Sequence, residues 1–245
     1  MSHIDINCDL GEGADDAALM ALVTSANIAC GGHAGDESTM RRAVQLALEA
    51  GANIGAHPSY EDRANFGRAE LHLPAGQLRH SLVKQIESLK RIAESAGGSL
   101  RHVKPHGALY NVALRNPAVA SAILDAVWEV DSRLAIVTMP HGCLFEQAAE
   151  MSVTPIAEGF ADRSYQSDGT LTPRSEPHAL LTREMDAADQ VLWMVRDGAV
   201  RSVDGAWMAM SVQTICVHGD GRSAVPMLRL VRDALAAAGI AAKPF

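Results

Sequence analysis

Seven times along this chain a short apolar run breaks off at or near glycine or proline, with a charged, amide or imidazole side chain at the break. The runs cover residues 3–10, 26–30, 53–56, 100–103, 135–139, 153–157 and 213–217, and helical sequence separates nearly every one from the next. Helices are expected over 15–23, 37–50, 75–96, 117–130, a segment ending near 151, 179–195 and 223–238, and a small hairpin around Asp204-Gly205 interrupts the alternation. Strands that alternate with helices are joined by right-handed crossovers and lie parallel, so the pattern predicts an α/β fold built on one parallel sheet.

The polar strand ends decide between a doubly wound sheet and a barrel. An open sheet gathers such residues at one switch point, whereas a barrel collects them from every strand at its C-terminal mouth. Here the ends carry Asp9, His33, His57, Lys104 with His106, His141, Glu158 with Asp162, and His218 with Asp220. All seven runs contribute, which selects a (β/α) barrel. Seven strands are one fewer than usual, so the barrel is expected to be distorted or partly open. A chain of 245 residues is the size of one such barrel, and no linker or composition shift divides it, so residues 1–245 are read as a single domain.

Composition removes several function classes. With 48% hydrophobic and 20% charged residues and no apolar run near the length of a bilayer, the chain reads as globular and not as a membrane protein. A net charge of -8 without a basic stripe argues against nucleic acid as a partner. The first strand follows Met1 almost at once, leaving no room for a secretory signal, and a cytoplasmic protein is expected. Cys8, Cys30, Cys143 and Cys216 contain no Cys-x-x-Cys pair and are read as small buried thiols.

The chemistry concentrates at the strand exits. Val103 to Asn111 reads as a strand emptying into a loop at Pro105 and Gly107, and Lys104 and His106, two residues apart, share a face. Asn7 and Asp9 share a face on the first strand in the same way. Three glycines in Gly31-Gly32-His33-Ala34-Gly35-Asp36 permit a tight turn or close approach to a ligand beside His33 and Asp36. Residues 59–74 form a polar loop too long for an ordinary connection and are read as a lid, and 163–177 form a second polar loop.

Six of these stretches, Ile6 to Gly13, Ala26 to Asp36, Ile54 to Pro58, Val103 to Asn111, Glu158 to Arg163 and Ile215 to Asp220, together resemble the LamB/YcsF family of lactam-utilisation proteins, which form one of the subunits of 5-oxoprolinase, in the same order and over essentially the whole chain. The resemblance implies a seven-stranded (β/α) barrel of the glycoside hydrolase/deacetylase type. It also implies a part in ATP-dependent opening of 5-oxoproline (pyroglutamate) to L-glutamate, together with two companion subunits. The chain departs from the family's usual pattern in having Gly32 where a bulkier residue precedes His33, Ser59-Tyr60-Glu61 in place of Gly-Tyr-Pro, and a shorter segment after Gly13.

Such a reaction accounts for the residue types. A lactam carbon is a poor electrophile, so phosphorylating its oxygen is a sensible use of ATP, with magnesium as the usual companion ion. Charge on the oxygen or phosphate asks for cations, met by Lys104 and Arg163. Moving protons asks for Asp9, His57 and His106, so Asp9, His57, Lys104 and His106 form the expected catalytic set. A substrate carboxylate needs donors, expected from Asn7, His33, Asn111 and His218, while Glu12, Asp36, Glu158, Asp162 and Asp220 are read as orienting groups. No Gly-x-x-x-x-Gly-Lys-Ser/Thr sequence is present, so ATP is expected at a site that a companion supplies or completes.

Two other readings stand beside this one. A metal-dependent hydrolase or deacetylase of the same barrel type would hold its ion on Asp9, His33 and His57. The His102-Val-Lys-Pro-His106 spacing does not add to it, because Pro105 argues against a helix and on a strand the two imidazoles stand about 13 Å apart. A non-catalytic subunit that carries substrate is the third reading, against which the density of titratable groups at one mouth argues.

Overall fold

The computed structural model describes residues 3–219 and 223–245. Its strands are β1 (His3–Leu10), β2 (Ser25–Ala29), β3 (Asn53–His57), β4 (Leu100–Val103), β5 (Ala135–Thr138), β6 (Pro155–Phe160), β7 (Ala199–Arg201), β8 (Trp207–Ala209), β9 (Thr214–Cys216) and β10 (Ala241–Ala242). Seven of them, in the order β1-β2-β3-β4-β5-β6-β9, pair parallel. Ile215 of β9 is in register with Gly159 of β6 on one side and Ile6 of β1 on the other, so three residues close the ring. The barrel is therefore closed, where the strand count had allowed a partly open one. β7 and β8 form the expected antiparallel hairpin, and β10 adds to the start of β1.

The helices are α1 (Asp16–Met20), α2 (Glu37–Ala50), α3 (Ala75–Ser95), α4 (Gly107–Arg115), α5 (Pro117–Val130), α6 (Cys143–Glu150), α7 (Glu184–Leu192) and α8 (Ala224–Ala237). α2 begins at a capping box in which the Asp36 carboxylate accepts from the Thr39 N–H, and it ends at Gly51 in the left-handed conformation. Leu78, Leu82, Ile86, Leu89 and Ala93 form the buried stripe of α3, each leucine stabilising by roughly 2 kcal/mol. No helix among the described residues is long and apolar enough to cross a membrane.

Three elements differ from expectation in ways that affect the site. α4 occupies a stretch read as loop, because Gly107 (φ +58°) lets the backbone of the 59–74 loop lie against it: an added Cβ would come within 2.6 Å of the Gly67 carbonyl. β6 runs three residues further than the apolar run 153–157, so Glu158 lies inside the barrel and not at the strand exit. α7 starts at Glu184, five residues late, and closes in a π turn over Trp193–Asp197.

The interior of this barrel is polar. Ile4, Ile6, Cys8 and Leu10 of β1 belong to the apolar core, while the alternate residues Asp5, Asn7 and Asp9 reach partners on β2, β9 and the end of β4. Asp5 accepts from the hydroxyls of Thr24, Ser25 and Thr214 at the lower end, and Asn7, Asn27, His102 and Thr214 bond to one another above it. Gly55 makes room for His102, since a Cβ there would sit 1.9 Å from the ring Nε2.

Candidate active site

Above this polar stack the strand ends open into a cavity of ≈ 810 Å³ whose floor includes Asp9, Glu12, His57, Lys104, His106 and His218. Lys104 follows β4, but its N–H still donates to the Ala56 carbonyl and that of His106 to the Pro58 carbonyl. The chain thus remains extended and both side chains point inward, as their spacing predicts. Lys104 Nζ lies 3.0 Å from Asp9 Oδ1 and 2.8 Å from Glu158 Oε1, and donates to Asn7 Oδ1 at 3.2 Å. The Glu158 contact is an ion pair whose angle falls outside that of a hydrogen bond, and the other Glu158 oxygen accepts from the Tyr110 hydroxyl at 2.8 Å.

These charges set one another. Burial alone would raise the Asp9 carboxyl, but the His57 and Lys104 charges override it and hold Asp9 well below the usual carboxylate range. Burial would likewise lower Lys104, and the carboxylates of Asp9 and Glu158 hold it above its ordinary value. His57 is raised against its burial by Asp9 and Glu12. His106 is lowered by burial and by the neighbouring charges of His57 and His33, and burial lowers His33, which its bond to Glu12 opposes.

The three imidazoles are tightly arranged. His57 Nδ1–H donates to the Lys104 carbonyl at 2.7 Å and His106 Nε2–H to the Phe66 carbonyl at 2.9 Å, while His57 Nε2 and His106 Nδ1 face each other at 2.9 Å. His33 stacks flat on His106 with ring centres 3.6 Å apart and meets Glu12 Oε1 at 2.7 Å. Phe66 packs edge-on against both rings, so the 59–74 loop forms one wall of the site. Residues 166–171 with Pro173 and Arg174 of the second polar loop line the cavity. Glu12, His33, His57 and His106 offer ligand atoms within 4.8 Å of one another, as do Asp9, Cys216 and His218.

Asp9, His57, Lys104 and His106 are thus brought to one place, and His218 joins them, held by its Nδ1–H on Asp162 at 2.9 Å and stacked on Phe160. Burial would raise Asp162, and the His218 partnership keeps it low. Asn111 lines the cavity from α4. Other expected residues sit differently. Asn7 lies beneath the floor, 1% exposed, with its amide given to Thr214 and its oxygen accepting from Asn27 and Lys104, which leaves it no reach to a substrate. His33 stands behind Glu12 and does not line the cavity. Arg163 borders the cavity, but its guanidinium donates to the Thr172 and Ala179 carbonyls and ties down its own loop. Asp36 is exposed and caps α2, a structural role. Glu12, expected to orient others, stands in the middle of the imidazoles, and Glu158 pairs Lys104 from within the barrel. Asp220 lies outside the described residues.

Four further residues contribute whose roles the sequence does not announce. Tyr110 and His102 lie in or beside a recognised motif, but only their depth shows that one donates to Glu158 and the other fills the barrel with its ring, held neutral by burial at about 3. Phe66 and Phe160 frame the imidazoles; one lies in the 59–74 loop and the other in the Glu158 to Arg163 motif, but nothing in either stretch singles out the ring.

Comparison with known proteins agrees with the fold. The model of the LamB/YcsF family matches residues 4–245. A lactam utilization protein from Thermus thermophilus superposes with a TM-score of 0.94 at 36% identity, covering 99% of this chain and 100% of that one. A family 4 carbohydrate esterase from Streptomyces lividans, in complex with acetate, has a TM-score of 0.51 at 12% identity over 98% of this chain and 91% of its own. A T48 deacetylase with substrate has a TM-score of 0.52 at 12% identity over 98% and 86%. At that identity the last two share the barrel fold. The first, with the family match, identifies the chain as a member of the LamB/YcsF family.

Proposed function

We propose that this chain is a cytoplasmic subunit of an ATP-dependent 5-oxoprolinase that opens 5-oxoproline to L-glutamate with two companion subunits. The observation that carries the reading is the whole-chain likeness to a lactam utilization protein, 36% identical over 99% of the chain. The cavity suits the task, because it places an ionised carboxylate, Asp9, and a carboxylate-oriented imidazole, His218, at one floor.

In this reading ATP phosphorylates the lactam oxygen at a site that a companion supplies or completes. Water adds to the activated carbon and gives its proton to Asp9, which Lys104 keeps ionised and available as a base. The carbon–nitrogen bond then breaks and the ring nitrogen takes a proton from His218, whose Nδ1–H stays on Asp162 and leaves Nε2 free for proton transfer. The acyl phosphate left behind is hydrolysed by a second water, so glutamate, ADP and phosphate are the products. Asn111 lines the cavity and gives one amide hydrogen to the Gly107 carbonyl; in this reading the other donates to the substrate carboxylate.

The test is glutamate release from 5-oxoproline with ATP and magnesium, for this chain alone and with its companions. Turnover is expected only in the mixture, and Asp9→Asn is expected to lower it about 100-fold or more, in line with loss of a general base. Comparable turnover by the chain alone refutes the division of labour, and turnover without ATP refutes the reaction.

A further inference from the structure

We infer that Glu12, His57 and His106 form a binding site for one divalent transition-metal ion of borderline softness, of which zinc is the type. The Lys104 carbonyl fixes the hydrogen of His57 on Nδ1, and the Phe66 carbonyl fixes that of His106 on Nε2. When both rings are neutral the two remaining ring nitrogens present lone pairs to each other at 2.9 Å, and Glu12 Oε1 faces both, 3.7 Å from His57 Nε2 and 3.3 Å from His106 Nδ1, with Asp9 Oδ2 3.4 Å from His57 Nε2; a proton on His57 Nε2 occupies the place that the ion would take. Three electron-rich atoms converging in a buried place repel unless a cation sits among them. Their mutual separations of 2.9, 3.3 and 3.7 Å match the spacing of ligand atoms about an ion with bonds of about 2.0–2.1 Å.

The surroundings have the features of an outer shell. Each imidazole is held through its other nitrogen by a backbone carbonyl, and Glu12 is held by His33 at 2.7 Å. His33 itself is a positioning residue. Its ring lies flat on that of His106, 3.6 Å away and parallel within 1°, so the in-plane lone pairs of the two rings cannot meet at one ion. The other convergent set, Asp9 with Cys216 and His218, is already served by a cation, since Lys104 Nζ sits 3.0 Å from Asp9 and 3.2 Å from the Cys216 sulfur. Two imidazoles and one carboxylate suit zinc, cobalt or iron better than magnesium or calcium, and all three line the cavity, so a fourth ligand could reach the ion from there.

The inference concerns the site of the proposed reaction but is tested without it. The full chain, dialysed against chelator, is titrated with zinc by calorimetry and with cobalt by visible absorption, in the absence of ATP, substrate and companions. One equivalent is expected to bind, with the ligand-field bands of a low-coordinate cobalt site and a metal-dependent rise in Tm. Glu12→Gln and His106→Gln should weaken binding by more than the ~10–100-fold typical of an outer-shell change, and His33→Gln by an amount within that range. Cys216→Ser and His218→Gln should leave affinity unchanged. Should the ligand variants fail to fold, X-ray absorption of the zinc-loaded wild type decides: nitrogen and oxygen neighbours with no sulfur are expected, and a sulfur neighbour overturns the assignment. Absence of saturable binding overturns it too, and means that a proton alone fills the gap. A chain that binds zinc but takes no part in glutamate release leaves this inference standing and defeats the reaction proposed above, and the converse result separates them the other way.

Discussion

Replacing Lys104 by methionine keeps its length and most of its volume but removes a cation that touches both Asp9 and Glu158. Glu158 is fully buried, and it then keeps the hydrogen bond from the Tyr110 hydroxyl. Asp9 would keep the Asn27 amide and His57, and Glu158 the Tyr110 hydroxyl, but both carboxylates would stay in the interior without the ammonium that balances them. Breaking a buried pair by removing one partner costs about 3–5 kcal/mol. In a chain of this size each kcal/mol is worth about 2–4 °C, so Tm should fall by roughly 6–20 °C near neutral pH. The deficit should depend on pH. The depressed Asp9 value in the wild type contributes stability that is fully present above its unfolded value and lost only as pH falls through the folded one, well below 3.8. In the variant one abandoned carboxylate can stay buried only by taking a proton, so the gap should be smaller near pH 5 than near pH 8. Thermal scans by circular dichroism at both values make the measurement. Adding Glu158→Gln removes the orphaned charge and should recover about half of the loss or more. A Lys104→Met chain that melts within about 2 °C of the wild type at both pH values refutes the buried-charge account, because even the low end of the range exceeds that.

Gly55→Ala should destabilise by about 3 kcal/mol, seen as a lower urea midpoint, because the new methyl would stand 1.9 Å from a His102 ring that is fully buried and bonded to Asn27; an unchanged midpoint means that the ring can move. Gly32→Ala should cost about 1–3 kcal/mol, since its Cβ would meet Ser59 Oγ at 2.6 Å and Gln85 Oε1 at 2.5 Å, and Ser59→Gly should return part of that; additive effects in the cycle would count against the contact. Asp5 is raised to about 6 by burial, so its ionisation opposes folding: the penalty is absent below about 3.8, grows up to about 6 and is constant above. Asp5→Asn cannot ionise, and across that window its stability relative to the wild type should improve by up to about 3 kcal/mol, while parallel pH profiles in urea would contradict the shift.

Periodicity reports which face a side chain takes, but not how deep it lies. Asn7 and Asp9 do share a face, as the two-residue spacing requires, yet Asn7 lies one layer lower and spends its polar atoms on the barrel. Lys104 and His106 were legible for the same reason, since the chain stays extended past Pro105. α4 was hidden because Pro105 and Gly107 look like breakers. Gly107 serves a different need, the approach of the Gly67 carbonyl from a loop 40 residues earlier in the sequence. Glu158 was misplaced because the apolar run Val153 to Ala157 gives no sign that pairing continues to Phe160. Glu12 sits in a turn without period, and its place among His33, His57 and His106 arises from the ends of four neighbouring strands, β1 to β4. Two of the departures from the family pattern, Gly32 and Ser59, stand far apart in sequence. In space they are one exchange, because Ser59 Oγ fills the position that a side chain at Gly32 would take.

A barrel of this kind is ordinarily filled with branched aliphatic side chains, and the polar filling here has a consequence for the mouth. From the lower end upward, Asp5 bonds Thr214, Thr214 bonds Asn7, Asn7 bonds Lys104, Lys104 bonds Asp9, and Asp9 stands 3.4 Å from His57, which meets His106. Each member has its remaining partners on another strand, through Asn27, His102 and Glu158. Side chains held by directional bonds on several sides cannot change rotamer without leaving a buried polar atom unpaired, a cost of about 1–3 kcal/mol. Aliphatic filling would bury more apolar surface but would fix no orientation. The stack therefore exchanges hydrophobic stability for a floor on which the Asp9 carboxylate and His57 Nε2 have one direction each, which is what proton transfer at a fixed atom, or coordination of an ion, requires.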